Sequence, residues 1–254
     1  MDEVMENCAR NGKIWSCGIP GEELDSLASR IFHSLGDQVF ETIKELIINN
    51  TYHPGIVLQI DKLAGEFGVS TTPVREALLR LEGIGLVDIE RNKGAVVTQV
   101  SEKRSRYVWE FRRILEAKVA RDAATGCTEE EIDAVETKLK KVLGHPDDFS
   151  VYQDSDVALH GLLSSHTENP LILESLANLS VHARRIRYFA ENGPFREEVI
   201  EQVTREHNEI IAALREHNPD KVEAMVTRHL INAEERTKKA LSEISGGAGK
   251  NDGK

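Results

Sequence analysis

Val69-Ser70-Thr71-Thr72-Pro73-Val74-Arg75-Glu76-Ala77-Leu78-Leu79-Arg80-Leu81 decides how the N-terminal part of the chain folds. Val74, Ala77, Leu78 and Leu81 recur at the interval of one helix face, and Ser70 stands where an N-cap side chain is favoured. Pro73 falls in the first turn, where no intrahelical N–H bond is lost. Upstream, Ile60, Leu63, Ala64 and Phe67 form another stripe at i, i+3, i+4 and i+7, which Gly68 stops. Two short helices joined by a tight Gly-Val-Ser turn are a helix-turn-helix candidate.

Outward from this pair, Val39, Ile43, Leu46 and Ile47 predict an earlier helix from Asp37, ended by Asn49-Asn50 and Pro54-Gly55. Gly83 and Gly85 break the third helix. Leu86–Glu90 and Ala95–Val100 are β-prone runs, and Arg91-Asn92-Lys93-Gly94 between them reads as a hairpin turn, a wing. From Glu102 to about Ser245 the periodicity is helical throughout. Thr128-Glu129-Glu130-Glu131 is a capping box ahead of Ile132, Val135, Leu139 and Val142. Further helices are expected over 149–166, 171–190, 194–217 and 219–244, punctuated by Asn169-Pro170, Gly193-Pro194 and Asn218-Pro219.

The expected fold is therefore mainly α. A winged helix-turn-helix with a small β-hairpin wing spans 37–100, and an all-helical bundle spans 101–245. Residues 1–36 show no sustained period and read as a loosely ordered arm, and the Gly-rich polar stretch 246–254 reads as a disordered tail. Met1–Arg10 carries acids and no apolar core, so a secretory signal is not expected, and no apolar run is long enough to cross a membrane. Cys8, Cys17 and Cys127 are scattered and form no CxxC pair, which argues against a disulfide framework or a cysteine zinc site and suits a reducing cytoplasm.

The formal net charge of −11 argues against a nucleic-acid partner unless the cations are well placed. Lys44, Lys62, Arg75, Arg80, Arg91 and Lys93 are outnumbered by nearby acids, so a DNA reading rests on where the cations point. A recognition helix enters the major groove with its N-terminal residues nearest the bases. Here those are Thr71, Thr72 and Arg75; Arg75 suits a guanine edge or a phosphate. Lys93, with Gly94 beside it in the wing turn, could reach the backbone or minor groove.

In the helical part, Asp156 and His160 stand at i, i+4 and share a helix face. His207 and His229 come from two later helices. One carboxylate and three imidazoles suit a divalent transition metal. His145, His166, His182 and His217 lack comparable support.

Residues 37–100 resemble the GntR family of winged helix regulators. The stretch Val69–Leu78 is similar to that family's VSRTPVREAL signature, and Leu81-Glu82-Gly83-Ile84-Gly85-Leu86-Val87 continues it. Pro54-Gly55, Leu58 and Leu63-Ala64 fall where the family has PG, L and LA. One departure is Thr71, where the family usually carries an Arg that contacts DNA. Residues 102–245 resemble the FCD ligand-binding domain of FadR-type regulators. That domain places an Asp and a His four apart and two more His on its last two long helices, an order matched by Asp156, His160, His207 and His229.

The resemblance implies a DNA operator, a repressor role, a homodimer, and a small organic acid effector bound beside Zn, Ni or Mn. It further implies that Arg112, in an Arg-x-x-Leu-Glu pattern with Leu115 and Glu116, and Asn169 lie near the effector. Two other readings of the same residues are a metal-dependent enzyme and a purely structural metal, each fused to the DNA-reading module.

Overall fold

The computed structural model describes residues 34–91, 93–145, 148–190 and 197–248, with side chains as far as 244. The chain divides into two compact units whose main boundary falls between Gln99 and Val100, with the short stretch Ile48–Asn50 grouped with the second.

In the first unit, α1 (Leu35–Ile48) starts ahead of Asp37 because the Ser34 hydroxyl accepts the Asp37 N–H at 3.1 Å. Its Val39, Phe40, Ile43 and Ile47 are buried. Next come β1 (Val57–Leu58), α2 (Ile60–Phe67) and α3 (Thr71–Gly83). Gly68 ends α2 in the left-handed region at φ 65°, a conformation that a residue without Cβ adopts freely. Ser70 occupies the N-cap position of α3, but its side chain makes no capping hydrogen bond, contrary to the role its type suggests. Leu63 and Ala64 of α2 and Val74, Ala77, Leu78 and Leu81 of α3 supply the buried faces.

β2 (Val87–Glu90) and β3 (Gly94–Val97) pair antiparallel, with Val87 opposite Val97 and Glu90 opposite Gly94. The expected hairpin is thus present, with both strands shorter than anticipated. The sheet also has a third strand that periodicity did not reveal: β1 pairs antiparallel with β3, Val57 opposite Val96 and Leu58 opposite Ala95, giving the order β1-β3-β2. Two residues are too few to show alternation. Gly94 has φ 105°, and a Cβ there would stand 2.7 Å from the Leu58 carbonyl oxygen, so the closeness of β1 requires a glycine. Asn92, expected in the hairpin turn, lies outside the described residues.

The second unit is helical: α4 (Glu102–Gly126), α5 (Glu129–Gly144), α6 (Phe149–Ser165), α7 (Pro170–Ala190), α8 (Glu197–Arg215) and α9 (Pro219–Ala248). The Thr128–Glu131 capping box forms in full, with both reciprocal bonds present. The expected start of a helix at Pro194 lies outside the described residues. α9 runs past the expected end of order at 245 to Ala248, because Gly246 and Gly247 are tolerated inside a helix at a modest propensity penalty. The longest elements, α4 and α9, pack along each other and are pinned by Trp109, fully buried, whose Nε1 donates to Thr237 Oγ1 at 3.0 Å. Ala120, Ala123, Leu159, Leu163, Ile210, Leu214, Val222, Val226 and Leu230 fill the core between the helices. Among the described residues no helix is long and apolar enough to cross a membrane.

Candidate functional site

Two sites emerge, one in each unit. On α3, Thr71, Thr72 and Arg75 are all exposed, while Val74, Ala77 and Leu78 face inward. The N-terminal turn of α3 therefore presents two hydroxyls and a guanidinium outward. Arg80 is tied down, donating to Asp37 at 2.7 Å and lying 4.0 Å over the Phe40 ring. Lys93 is exposed at the wing and pairs with Glu90 at 2.6 Å. Gly94 is accounted for by the approach of β1, independently of any partner.

In the helical unit the structure brings Asp156, His160, His207 and His229 together. One nitrogen from each imidazole lies within 4.8 Å of the others. Ring centroids stand 5.9 Å apart for His160–His207, 5.6 Å for His160–His229 and 4.8 Å for His207–His229. Asp156 Oδ1 lies 3.8 Å from His160 Nε2 and 3.7 Å from His207 Nε2. Three helices supply these groups. α6 carries Asp156 and His160 one turn apart; α8 carries His207 within its apolar stripe of Val203, Ile210 and Leu214; α9 carries His229 beside Val226 and Leu230.

Two of the imidazoles are oriented by carboxylates. Glu116 Oε2 lies 2.9 Å from His160 Nδ1, and Glu206 Oε2 lies 2.7 Å from His229 Nδ1. An ionised carboxylate can only accept, so each Nδ1 carries the proton and each Nε2 keeps its lone pair. Both carboxylates are themselves held by arginine: Arg112 Nε donates to Glu116 at 2.6 Å and Arg236 donates to Glu206 at 2.8 Å. Burial alone would raise the Glu116 pKa, but the Arg112 guanidinium and His160 outweigh it and hold the carboxyl down to about 2. Glu206 is likewise held down to about 2 against burial by its bonds from His229 and Arg236. Burial opposes ionisation of Asp156 too, yet Arg187, whose terminal nitrogen lies 3.3 Å away, and the imidazoles hold it far below the usual carboxylate range.

His207 is the exception. It is 0 % exposed, and neither ring nitrogen has a hydrogen-bond partner. Burial and the neighbouring His229 push its pKa well below the ordinary imidazole value, so at neutral pH the ring is uncharged. Burial likewise lowers His229. Among the described residues four buried side-chain polar atoms lack a partner, and three of them, His160 Nε2 and both nitrogens of His207, are here. Unpaired buried polar atoms are normally avoided because each forfeits its hydration. Their concentration at one point, beside an ionised carboxylate and with the His207 ring uncharged, is the donor set a divalent cation takes.

Beside His229 lies a narrow cavity lined by Trp109, Arg112, Arg187, Arg236 and Thr237, among others. Arg112 is among the residues that line this cavity. Asn169 is not among the lining residues. It is exposed, and its Oδ1 accepts the Leu171 N–H at 3.0 Å at the start of α7. Sequence reasoning passed over Arg187, Arg236 and Glu206. The signals were faint: Glu206 adjoins His207, and Arg236 lies two turns beyond His229 on α9.

Residues 35–97 match the family model "Bacterial regulatory proteins, gntR family", and residues 107–232 match the FCD domain. The chain is 27% identical over 213 residues to the HTH-type transcriptional repressor RspR of Escherichia coli K12, covering 83% of this chain and 92% of that protein. It is 27% identical over 213 residues to the HTH-type transcriptional regulator LutR of Bacillus subtilis, covering 75% and 95%. The solved structure of E. coli McbR/YncC shares the fold, with a TM-score of 0.69 at 19% identity over 82% of this chain and 99% of that one.

Proposed function

Because the chain belongs to the GntR family of bacterial regulatory proteins and carries an FCD domain, it is a DNA-binding transcription regulator and not an enzyme, and we propose that it is a cytoplasmic repressor whose helical domain senses a small organic acid through a bound metal. The single observation that carries the metal reading is His207, wholly buried with both ring nitrogens unpaired and facing His160, His229 and Asp156.

In this reading Asp156, His160, His207 and His229 hold a divalent transition ion, Zn, Ni or Mn. The ion supplies an electrophilic anchor for a carboxylate oxygen. The protein does the rest. Glu116 and Glu206 keep two Nε2 atoms aimed at one point, and the buried, neutral His207 closes the donor set from a third helix. Arg112 spends its Nε on Glu116, and its terminal amino groups can donate charge-assisted bonds to an acid in the cavity. Thr71, Thr72 and Arg75, with Lys93 of the wing, form the operator-facing surface.

The working form is a homodimer with one helix-turn-helix over 37–100 and one effector domain over 101–245 per copy. An acid that binds one arrangement of the helical domain better than another shifts the population toward it, and so changes the spacing of the two recognition helices. Half-sites about one helical turn apart fit one spacing and reject the other.

Elemental analysis of full-length protein, purified without a metal-affinity column and then screened by thermal shift against organic acids, tests the reading. The expected result is about one equivalent of transition metal per chain that His207→Ala removes, and a melting shift with one class of acid that disappears on chelation. Protein free of metal and indifferent to added Zn²⁺, Ni²⁺ or Mn²⁺ would overturn it.

A further inference from the structure

A second cluster of metal-binding side chains lies elsewhere in the helical unit, where the C-terminus of α4, the start of α5 and the end of α6 meet. Cys127 is the C-cap of α4, Glu131 is the third residue of α5, and His166 is the C-cap of α6. One donor atom from each, a thiol sulfur, a carboxylate oxygen and an imidazole nitrogen, lies within 4.8 Å of the other two. We propose that Cys127, Glu131 and His166 form a second metal site, for a thiophilic divalent cation such as Zn²⁺, distinct from the histidine cluster.

Each side chain is positioned by something other than the cluster. The capping box fixes Glu131, whose Oε2 accepts the Thr128 N–H at 2.9 Å. Cys127 is anchored by its own N–H, bonded to the Ala123 carbonyl at 2.9 Å, and is only 5% exposed. His166 is seated against Gly126, where a Cβ would come within 2.6 Å of its Nδ1, so the missing side chain is what admits the ring. This seating leaves Nε2 as the nitrogen directed at the other two residues. It is buried 3.3 Å from Glu131 Oε2, an ion pair only when the imidazole is protonated, and no atom stands in hydrogen-bond geometry to it. Outside the histidine cluster no other buried side-chain polar atom among the described residues lacks a hydrogen bond.

The donor chemistry suits zinc. Thiolate, imidazole and carboxylate bind it at about 2.3, 2.0 and 2.1 Å in tetrahedral array, which puts donor atoms roughly 3.3–3.7 Å apart. Side-chain rotation of about 1 Å would contract the present spacing to that range. Glu131 is 43% exposed on its side chain, so the fourth position opens to water. On binding, the S–H bond of Cys127 breaks as the S–metal bond forms, and the proton leaves to solvent. Because the three ligands sit at the ends of three helices, the ion would cross-link them, in a way no carboxylate–imidazole pair can.

The test is a Co²⁺ titration of the metal-free full chain, followed by absorbance. Cobalt bound to a thiolate gives a near-ultraviolet charge-transfer band that the histidine cluster cannot produce. Wild type is expected to show that band, saturating with one bound equivalent. Cys127→Ser should lose the band and that equivalent. His207→Ala should keep both, which separates this site from the one proposed for regulation. His166→Asn, which leaves the thiol in place, should also lose the band and serves if Cys127→Ser does not fold. A wild-type protein without the band, a band that survives Cys127→Ser, or one unchanged in His166→Asn would overturn the proposal.

Discussion

The two units solve opposite problems. The proposed recognition surface on α3 is made of exposed residues within one helical turn, placed there because Val74, Ala77 and Leu78 face inward. The histidine cluster draws on three helices far apart in the chain, is largely buried, and has two of its imidazoles oriented by neighbouring carboxylates. Exposed cations act on DNA through a screened, additive electrostatic attraction, so losing one weakens binding without touching the fold. In the buried cluster the same charges sit in a poorly screened interior, where Glu116, Glu206, Arg112, Arg187 and Arg236 balance one another and a single loss is shared by the set. The comparison predicts that damage stays local in the first unit and spreads in the second.

The largest effect is expected in the second unit. His207→Ala should abolish the metal equivalent held by the histidine cluster, because the only fully buried imidazole of the set disappears from α8. A folded state saturated at 100 times its Kd gains roughly 2.7 kcal/mol, so the melting temperature should fall by about 5–10 °C relative to metal-loaded wild type. Glu206→Gln keeps every proposed ligand but replaces the carboxylate that holds the His229 proton on Nδ1. A loss of roughly 10–100-fold in metal affinity is expected, with DNA binding of the metal-loaded protein unchanged. Metal competition with a chromophoric chelator measures both. Equal affinities for Glu206→Gln and wild type would mean that orientation by the carboxylate contributes nothing, and the contrast between the units would lose its basis.

The same contrast explains what could be read from the sequence. The helix-turn-helix was legible because its determinants are contiguous: the apolar stripe of α3, the Gly68 stop and the signature from Val69 to Leu78 lie within one short stretch. The four groups of the histidine cluster were legible only through a family resemblance, since periodicity cannot say which helices face each other. Partners that share no motif were missed. Arg187 and Arg236 look like ordinary helix cations until packing sets them beside Asp156 and Glu206. Cys127 and His166 looked isolated because nothing in the chain indicates that Gly126 leaves room for the imidazole. β1 escaped because two residues carry no pattern.

In the first unit, Arg75→Ala should weaken specific operator binding by roughly 1–3 kcal/mol, the value of one good bidentate base contact. Arg75 is exposed on α3 and packs against none of the buried face, so the melting temperature and metal content should stay those of wild type. Fluorescence anisotropy with the operator, paired with a thermal melt, checks both halves. A clear drop in stability would show that the two units do not differ as argued. Unchanged operator affinity would take α3 out of the groove.

The smallest effect belongs to Thr71, and it sharpens the comparison most. It is exposed at the first position of α3, where the GntR signature usually carries an arginine. Thr71→Arg adds a cation to a surface that is otherwise poor in them, since Arg80 is tied to Asp37 and Lys93 to Glu90. One new phosphate contact releases about one more counterion, so the slope of log K against log salt should steepen by about 0.9. Affinity should rise at low salt, and the gain should shrink as salt is added. The fold should not respond, because a first-turn exposed position packs against nothing that a longer side chain would displace. A contact to a base edge instead would raise affinity for the cognate operator more than for random DNA, so titrating both at several salt concentrations distinguishes positioning from readout. An unchanged salt slope on both DNAs would mean that the N-terminal turn of α3 points away from the duplex, and the exposed surface that defines the first unit would have to be sought on another face.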